Sequence, residues 1–337
     1  GKIEDTGPLT KKRMETIDDE TTDACIAWIK RQADAKKPFF SWMNFTRMHV
    51  FTHVRPSMRG QSGMPDNEYA DGMIEMDLNV GKLLKALDDL GIANNTIVVF
   101  TTDNGPNQFS WPDAATTPFR SEKNSNWEGA YRVPAILRWP GKVKAGAVTR
   151  EIFSGLDWFP TLLAAAGNTT IKESLLKGAT VNGKQYKVHL DGYNQLDFLI
   201  GKSNKSARTE FAYFNDDAQL VGYRYGDWKI VIREQPAPGG FQVWRDPFTT
   251  YRIPLLFNLR MDPYERANIV SDQYDDWQLR NDFIIGQVTF HAIEFLQTFI
   301  PYPPSQLPAT FSPDAIERQI DQINNQKLKP HSVTRDQ

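Results

Sequence analysis

The chain has 337 residues, 40% hydrophobic and 24% charged, with 39 basic against 41 acidic side chains, enough for one large globular domain and a smaller one. A net charge of −2 gives no electrostatic reason to expect nucleic acid or an anionic membrane as partner, and no run of about 18 apolar residues is present to span a bilayer. Cys25 is the only cysteine, which excludes an internal disulfide and a cysteine-rich zinc site.

The opening GKIEDTGPLTKKRMETIDDETT is polar and unlike a secretory signal. Thr22 or Asp23 is expected to cap a helix running to about Ala35, with Cys25 on it as a small buried hydrophobe beside Ile26 and Ile29. PFFSWMNF (38–45) reads as a buried strand. From Asp66 to Leu90, the apolar residues Tyr69, Met73, Met76, Val80, Leu83, Leu87 and Leu90 recur at helical steps, and Gly91 marks a stop. TIVVFTT (96–102) is the next strand, completing a helix–strand unit of α/β type. YRVPAILRWPG (131–141) reads as a further strand, with Pro134 placing it at an edge, at a bulge or at the strand start. Asp157 is expected to cap the short helix DWFPTLLAAAG, which ends at Gly167, and 168–190 reads as loop. After about Asn204 the strand-like runs EFAYFNDD, AQLVGYRYGDWKIVIRE and IPLLFNLRMDP predict an antiparallel meander. A hydrophobic helix around 283–299 follows, then a polar tail from Ser312 with another short helix.

Three segments carry candidate chemistry. Asp103-Asn104-Gly105 follows the apolar strand directly, and these residues make good turns because they tolerate positive φ. In open α/β sheets, however, ligands gather beyond the carboxyl ends of strands, and a carboxylate with an amide carbonyl offers hard oxygens for calcium or magnesium. Two such side chains do not fill the shell of about six to eight oxygens that calcium takes. Lys123 lies in a polar loop before Trp127-Glu128-Gly129, where solvation is its default role. NFTRMHVFTHVRP (44–56) carries Arg47, His49, His53 and Arg55. His49 and His53 resemble half a zinc site, but Val50, Phe51 and Thr52 weaken a helix there and nothing completes tetrahedral coordination. Oxygen ligands, a lysine and a histidine together suit the binding of a tetrahedral oxyanion, with the histidine able to donate to a leaving oxygen.

The chain resembles the later two-thirds of a bacterial arylsulfatase, of the sulfatase family in the alkaline-phosphatase-like superfamily. The resemblance rests on ordered blocks between about 40 and 270: TRMHVFTH, YADGMIEMDLNVGKLLKALDDLGIANNTIVVFTTDNG, Lys123 with WEGAYRVPAILRWPGKV, FSGLDWFPTLLAAAG, and RYGDWK followed by LFNLRMDPYER. It implies an α/β fold with a large mixed sheet flanked by helices, incomplete in this chain, and a small C-terminal α+β unit with a four-stranded antiparallel sheet. The division is expected at 1–205 and 206–337. The resemblance further implies that Asp103 and Asn104 bind the active-site calcium. By the same resemblance, Lys123 and His49 are expected to contact the substrate sulfate, with His49 also assisting the leaving group. His53 is left as pocket lining. The family nucleophile is a formylglycine made within Cys/Ser-x-Pro-x-Arg, and it attacks the sulfur of the ester.

The chain departs from the family there. Cys25 is followed by Ile-Ala-Trp-Ile, and no Cys/Ser-x-Pro-x-Arg occurs anywhere in the 337 residues. The family's Asp-Asp pair and Gly-Lys-x-x-His stretch are also missing. The expectation is a C-terminal portion of a longer sulfuric ester hydrolase, by itself inactive and a poor calcium binder, acting as a whole on small-molecule or carbohydrate sulfate esters. Periplasmic or extracellular placement is expected if the parent carries a signal peptide. The alternatives are a phosphodiester or phosphonate ester hydrolase of the same superfamily and a non-catalytic binding protein on a degenerate sulfatase scaffold.

Overall fold

The computed structural model describes residues 3–114, 116–304, 306 and 308. The short helix expected after Ser312 lies outside the described residues. Near the start, Thr10 caps a single turn, α1 (Lys11–Met14), by accepting from the Arg13 amide. α2 (Ile17–Asp34) follows, with Asp18, Asp19 and Glu20 in its first turn, where carboxylates complement the helix dipole. The expected start at Thr22 or Asp23 is therefore corrected to Ile17. Thr22 is buried inside the helix and donates to the Asp18 carbonyl at 2.6 Å, so it does not cap. Cys25 is only half-buried, its Sγ 3.1 Å from Ser41 Oγ.

The strand expected over 38–45 does not form. The segment is irregular, and Phe40 and Trp42 are 67% and 80% exposed. Aromatic content favours a pleated, covered surface, but a strand also needs a neighbour to pair its backbone. Among the described residues none does so here.

α3 (Glu68–Asp89) is the longest helix described. The Asn67 side chain accepts from the Ala70 amide at 2.7 Å to cap it, and Gly91 takes φ +67° just past its end. Of the predicted apolar stripe only Met76 and Leu87 are fully buried. Asp71, Glu75 and Asn79, one turn apart, are buried as well. The reason is a charge network. Arg47 is wholly enclosed and reaches Asp18 at 3.4 Å and Glu75 at 2.9 Å. Arg55 joins Glu75 at 2.7 Å and Asp19 at 2.8 Å, and Lys82 bonds Asp19 and Asn79. Paired charges of this kind can be buried where single ones cannot. The network ties α2, α3 and the 44–56 loop together.

β1 (Val98–Thr101) leads out of that helix. A one-turn helix, α4 (Glu128–Tyr131), precedes β2 (Ala135–Arg138), which pairs antiparallel with β1, Val98 opposite Arg138 and Thr101 opposite Ala135. The strand expected over 131–141 thus begins only at Ala135, with Pro134 just before it, where its missing N–H does no harm. The fold is mixed α/β, but among the described residues the large mixed sheet is not formed. The sheets among the described residues have two, two and four strands and are antiparallel.

Next comes α5 (Trp158–Ala165). Its approach is capped by Ser154 rather than by Asp157: Ser154 Oγ accepts from the Leu156 amide and the Ser154 amide donates to Asp157. The fully buried Asp157 carboxylate also takes the Arg208 guanidinium at 2.6 Å and the Tyr193 amide at 2.8 Å, which anchors a crossing of three segments. The expected loop over 168–190 contains α6 (Ile171–Lys177) and a hairpin of β3 (Ala179–Val181) and β4 (Lys184–Tyr186). Its turn is Asn182-Gly183, with φ of 50° and 76°. A turn with both central residues at positive φ matches strand twist, so that dipeptide was a hairpin signal. α7 (Leu196–Leu199) closes this half.

The expected meander is present as β5 (Glu210–Phe214), β6 (Leu220–Tyr225), β7 (Trp228–Glu234) and β8 (Thr249–Asn258), paired in that order. α8 (Gln242–Arg245) lies in the β7–β8 connection, and α9 (Ala267–Val270), α10 (Tyr274–Arg280) and α11 (Asp282–Gln297) follow. Successive residues of a strand face opposite ways, and this sheet is covered on both sides. Tyr223, Ile230 and Leu256 pack on Ile284, Val288 and Ala292 of α11. Val231 and Phe257 pack on Trp127, Leu259 and Tyr274. Each such aliphatic or aromatic burial is worth about 1.5–3 kcal/mol. No helix among the described residues is long and apolar enough to cross a membrane.

Candidate functional site

The site begins where β1 stops. Asp103 is exposed, and Thr102 Oγ1 donates to its carboxylate at 3.2 Å. Asn104 is half-buried and donates its Nδ2 to the Gly105 carbonyl at 2.9 Å, which leaves its side-chain oxygen as an acceptor. None of Asp103, Asn104 and Gly105 has positive φ, so the tripeptide does not use the left-handed turn geometry its composition allows. Gly105 is needed for another reason. Its amide donates to the Ala130 carbonyl at 2.8 Å, and a Cβ there would sit 1.7 Å from the Gly129 carbonyl oxygen. The Lys123 amide donates to the Pro106 carbonyl at 2.9 Å. Two backbone bonds therefore lay the 103–106 segment along the 123–130 segment, bringing the lysine's loop beside the oxygen-bearing pair. The Lys123 side chain is partly buried, its Nζ 6.0 Å from the centre of the Trp244 ring.

His49 stands in a separate loop. It is exposed, and its Nδ1 lies 3.2 Å from the Val50 carbonyl. The loop is fixed from beneath: the Thr46 amide donates to Asp18, Thr52 Oγ1 donates to the Thr46 carbonyl, and Arg47 is locked between Asp18 and Glu75. Among the described residues no hydrogen bond or ion pair joins His49 to Asp103, Asn104 or Lys123. His53 is half-buried in the same loop. Arg47 and Arg55, in the same segment, hold the loop in place through Asp18, Asp19 and Glu75.

The residues that hold the Lys123 loop were not legible from their own surroundings in the chain. Beneath it, α4 carries Glu128, buried with Lys229 of β7 and Glu265 in a closed cluster. Lys229 Nζ is 3.2 Å from Glu128 Oε1 and 2.6 Å from Glu265 Oε1, and donates to the Asn126 carbonyl at 2.9 Å. Tyr213 of β5 donates to Glu128 Oε1 at 2.7 Å, Arg132 donates to Oε2 at 2.6 Å, and the Glu128 amide donates to Glu265 Oε2 at 2.6 Å. Burial alone raises the pKa of Glu128, but Lys229, Arg132 and the Tyr213 hydroxyl overcome it and hold the carboxyl at about 2. For Glu265, burial prevails over Lys229, and the Glu128 charge adds to it, so its pKa is raised. Burial and the Glu128 charge also push the Tyr213 hydroxyl well up, keeping it a donor. Arg120 lies over the Trp127 ring at 3.3 Å and bonds Glu234 at 3.0 Å. The blocks RYGDWK and MDPYER supply Lys229 and Glu265.

Asp103 and Asn104 fit a hard cation as two oxygen donors on adjacent residues, one of them an exposed carboxylate. Among the described residues no group of three or more His, Cys, Asp or Glu side chains gathers to hold a metal. Two such donors could fill only part of a shell of about six to eight oxygens.

The family model Sulfatase matches residues 2–168. Human N-acetylgalactosamine-6-sulfatase is 37% identical over 290 residues, covering 78% of this chain and 50% of that protein. Mouse steryl-sulfatase is 32% identical over 256 residues, covering 70% of this chain and 38% of that protein. The crystal structure of PsFucS1 sulfatase from Pseudoalteromonas sp. superimposes with a TM-score of 0.74 at 28% identity, over 91% of this chain and 58% of that one. The chain thus spans about half the length, or less, of these curated relatives. With one family model running through the Asp103-Asn104 and Lys123 segments and relatives of the same kind on either side of residue 168, the chain belongs to the sulfatase family.

Proposed function

We propose that this chain supplies the calcium- and sulfate-holding part of a sulfuric ester hydrolase, an arylsulfatase-like enzyme whose nucleophile lies in a segment outside these 337 residues. The observation that supports the reading is the backbone bonding of Gly105 to Ala130 and of Lys123 to Pro106, which holds the Lys123 loop against the segment that follows Asp103 and Asn104. A cation held by Asp103 and Asn104 would supply positive charge toward the sulfate oxygens. Lys123 adds a second positive charge for the same oxygens, in a position backed by the enclosed Trp127–Glu128 floor. His49 acts from its own loop on the departing oxygen, holding a proton for it. The chain alone lacks the nucleophile and most of the oxygens of a calcium shell, so by itself it is inactive and binds calcium poorly. The relatives are named for a sugar 6-sulfate and for a steryl sulfate, and both fit an alcohol borne by a ring system as the leaving group.

The test uses the full-length protein, meaning this chain with the part its relatives carry beyond it. It is expected to cleave 4-nitrophenyl sulfate in preference to 4-nitrophenyl phosphate. Preference for the phosphate would replace the reading with phosphate ester hydrolysis, and turnover of neither would leave a binding protein on this scaffold. His49→Ala is expected to cost alkyl sulfates about 10²–10⁴-fold in kcat and nitrophenyl sulfate far less, because only the poor leaving group needs its proton. Equal losses on both would reduce His49 to positioning the sulfate.

A further inference from the structure

Glu122, the residue before Lys123, is fully buried, and among the described residues its carboxylate is held by backbone amides and not by a cation. One carboxylate oxygen accepts from the Gln108 amide at 2.6 Å and the other from the Gly240 amide at 2.5 Å. A single side chain thus clamps the loop leaving Asp103-Asn104 to the β7–β8 connection of the C-terminal sheet. The approach is close: a Cβ on Gly239 would lie 2.8 Å from Glu122 Oε1. The next residue after each donor is a phenylalanine. Phe109 and Phe241 meet edge to face, centroids 5.5 Å apart, yet remain 39% and 61% exposed. On the other side of Lys123, Asn124 donates to the Val243 carbonyl at 3.0 Å, so α8 and its Trp244 are tied to the same loop.

Two phenyl rings held against each other and left open to water, one residue beyond the clamp that carries the proposed sulfate-binding lysine, suit an amphiphilic ligand. An anionic group would lie at the lysine and a flat ring on the phenyl face. We propose that Phe109 and Phe241 form the surface on which the ring of the sulfated alcohol rests, an aryl ring or the apolar face of a pyranose. The C-terminal half of the chain would thereby choose the leaving group. This rests on the reading of Lys123 as a sulfate contact.

The experiment is steady-state kinetics of the full-length protein carrying Phe241→Ala or Phe109→Ala. The probes are 4-nitrophenyl sulfate, a pyranose 6-sulfate and, as competing anion, inorganic sulfate. KM for at least one ring substrate is expected to rise on the order of tenfold with kcat little changed, and inhibition by inorganic sulfate to stay as in the wild type. The substrate that responds shows whether the ring is aryl or sugar. Unchanged KM for both rings in both variants would overturn the proposal. So would sulfate inhibition weakening in step with KM, since the phenyls would then merely support Lys123. If Lys123→Ala weakens inorganic sulfate while both phenylalanine variants behave as wild type, only the ring surface is lost. If Lys123→Ala leaves inorganic sulfate binding untouched, the functional reading itself fails.

Discussion

Lys229→Met is expected to lower the stability of the chain by about 3–5 kcal/mol, the cost of leaving buried carboxylates without their cation. Lys229 is wholly enclosed between Glu128 and Glu265, themselves almost wholly enclosed. Methionine fills a similar volume, so the loss reports charge more than packing. Arg132 remains on Glu128, but nothing comparable remains for Glu265, whose pKa is already raised by burial. The deficit should depend on pH in a defined sense. In the wild type, Glu128 has a folded pKa of about 2 against an ordinary 4.5, so its contribution is present above 4.5 and is lost as pH falls from 4.5 toward 2. Glu265 has the opposite shift and destabilises as pH rises above 4.5. Without Lys229 both carboxyls take up protons more readily in the folded chain. Urea midpoints for wild type and variant should therefore converge between pH 7 and about pH 4. A gap of the same size at both pH values would assign the loss to packing, and a gap under about 1 kcal/mol would remove the cluster from the account of how the Lys123 loop is held.

Lys123→Ala in the full-length protein should reduce turnover of 4-nitrophenyl sulfate by about 10²–10³-fold, the size of effect that follows removal of one preorganised group facing developing oxyanion charge. The loss should appear chiefly in kcat if the lysine acts more strongly as charge moves onto the leaving oxygen, and in KM if it only grips the ground state. Because Lys123 pairs with no carboxylate among the described residues and its Nζ lies 6.0 Å from the centre of the Trp244 ring, its removal should leave the urea midpoint nearly unchanged. Near wild-type kinetics would remove Lys123 from the site.

What could be read in advance follows from which interactions are local. α3, α11 and the meander announce themselves because periodicity and turn residues act within a few positions. Asp103 and Asn104 could be singled out because they end an apolar strand. The failures are of four kinds. The aromatic run at 38–45 says that it favours cover without saying what covers it, and among the described residues no strand pairs with it. The buried carboxylates of α3 look like a solvated face until Arg47 arrives from another loop. The floor under Lys123 joins Glu128, Lys229 and Glu265 across more than a hundred residues, with spacings no local pattern can carry. Asn182-Gly183 is a miss of another sort, since its hairpin signal was present but lay in a stretch polar enough to read as loop.

The central claim is that oxygens from one strand end and a lysine from the loop beside it grip one sulfate through a shared dication, with a histidine at the leaving oxygen. A crystal structure of the full-length protein grown with calcium and inorganic sulfate tests it most directly. The account predicts one calcium with oxygens of Asp103 and Asn104 in its shell at about 2.3–2.6 Å. It also predicts one sulfate on that calcium, with Lys123 Nζ and a His49 ring nitrogen within about 3.2 Å of its oxygens. Calcium and sulfate bound well away from residues 103 and 104, with Lys123 still resting on Trp244 and His49 turned to solvent, would contradict it.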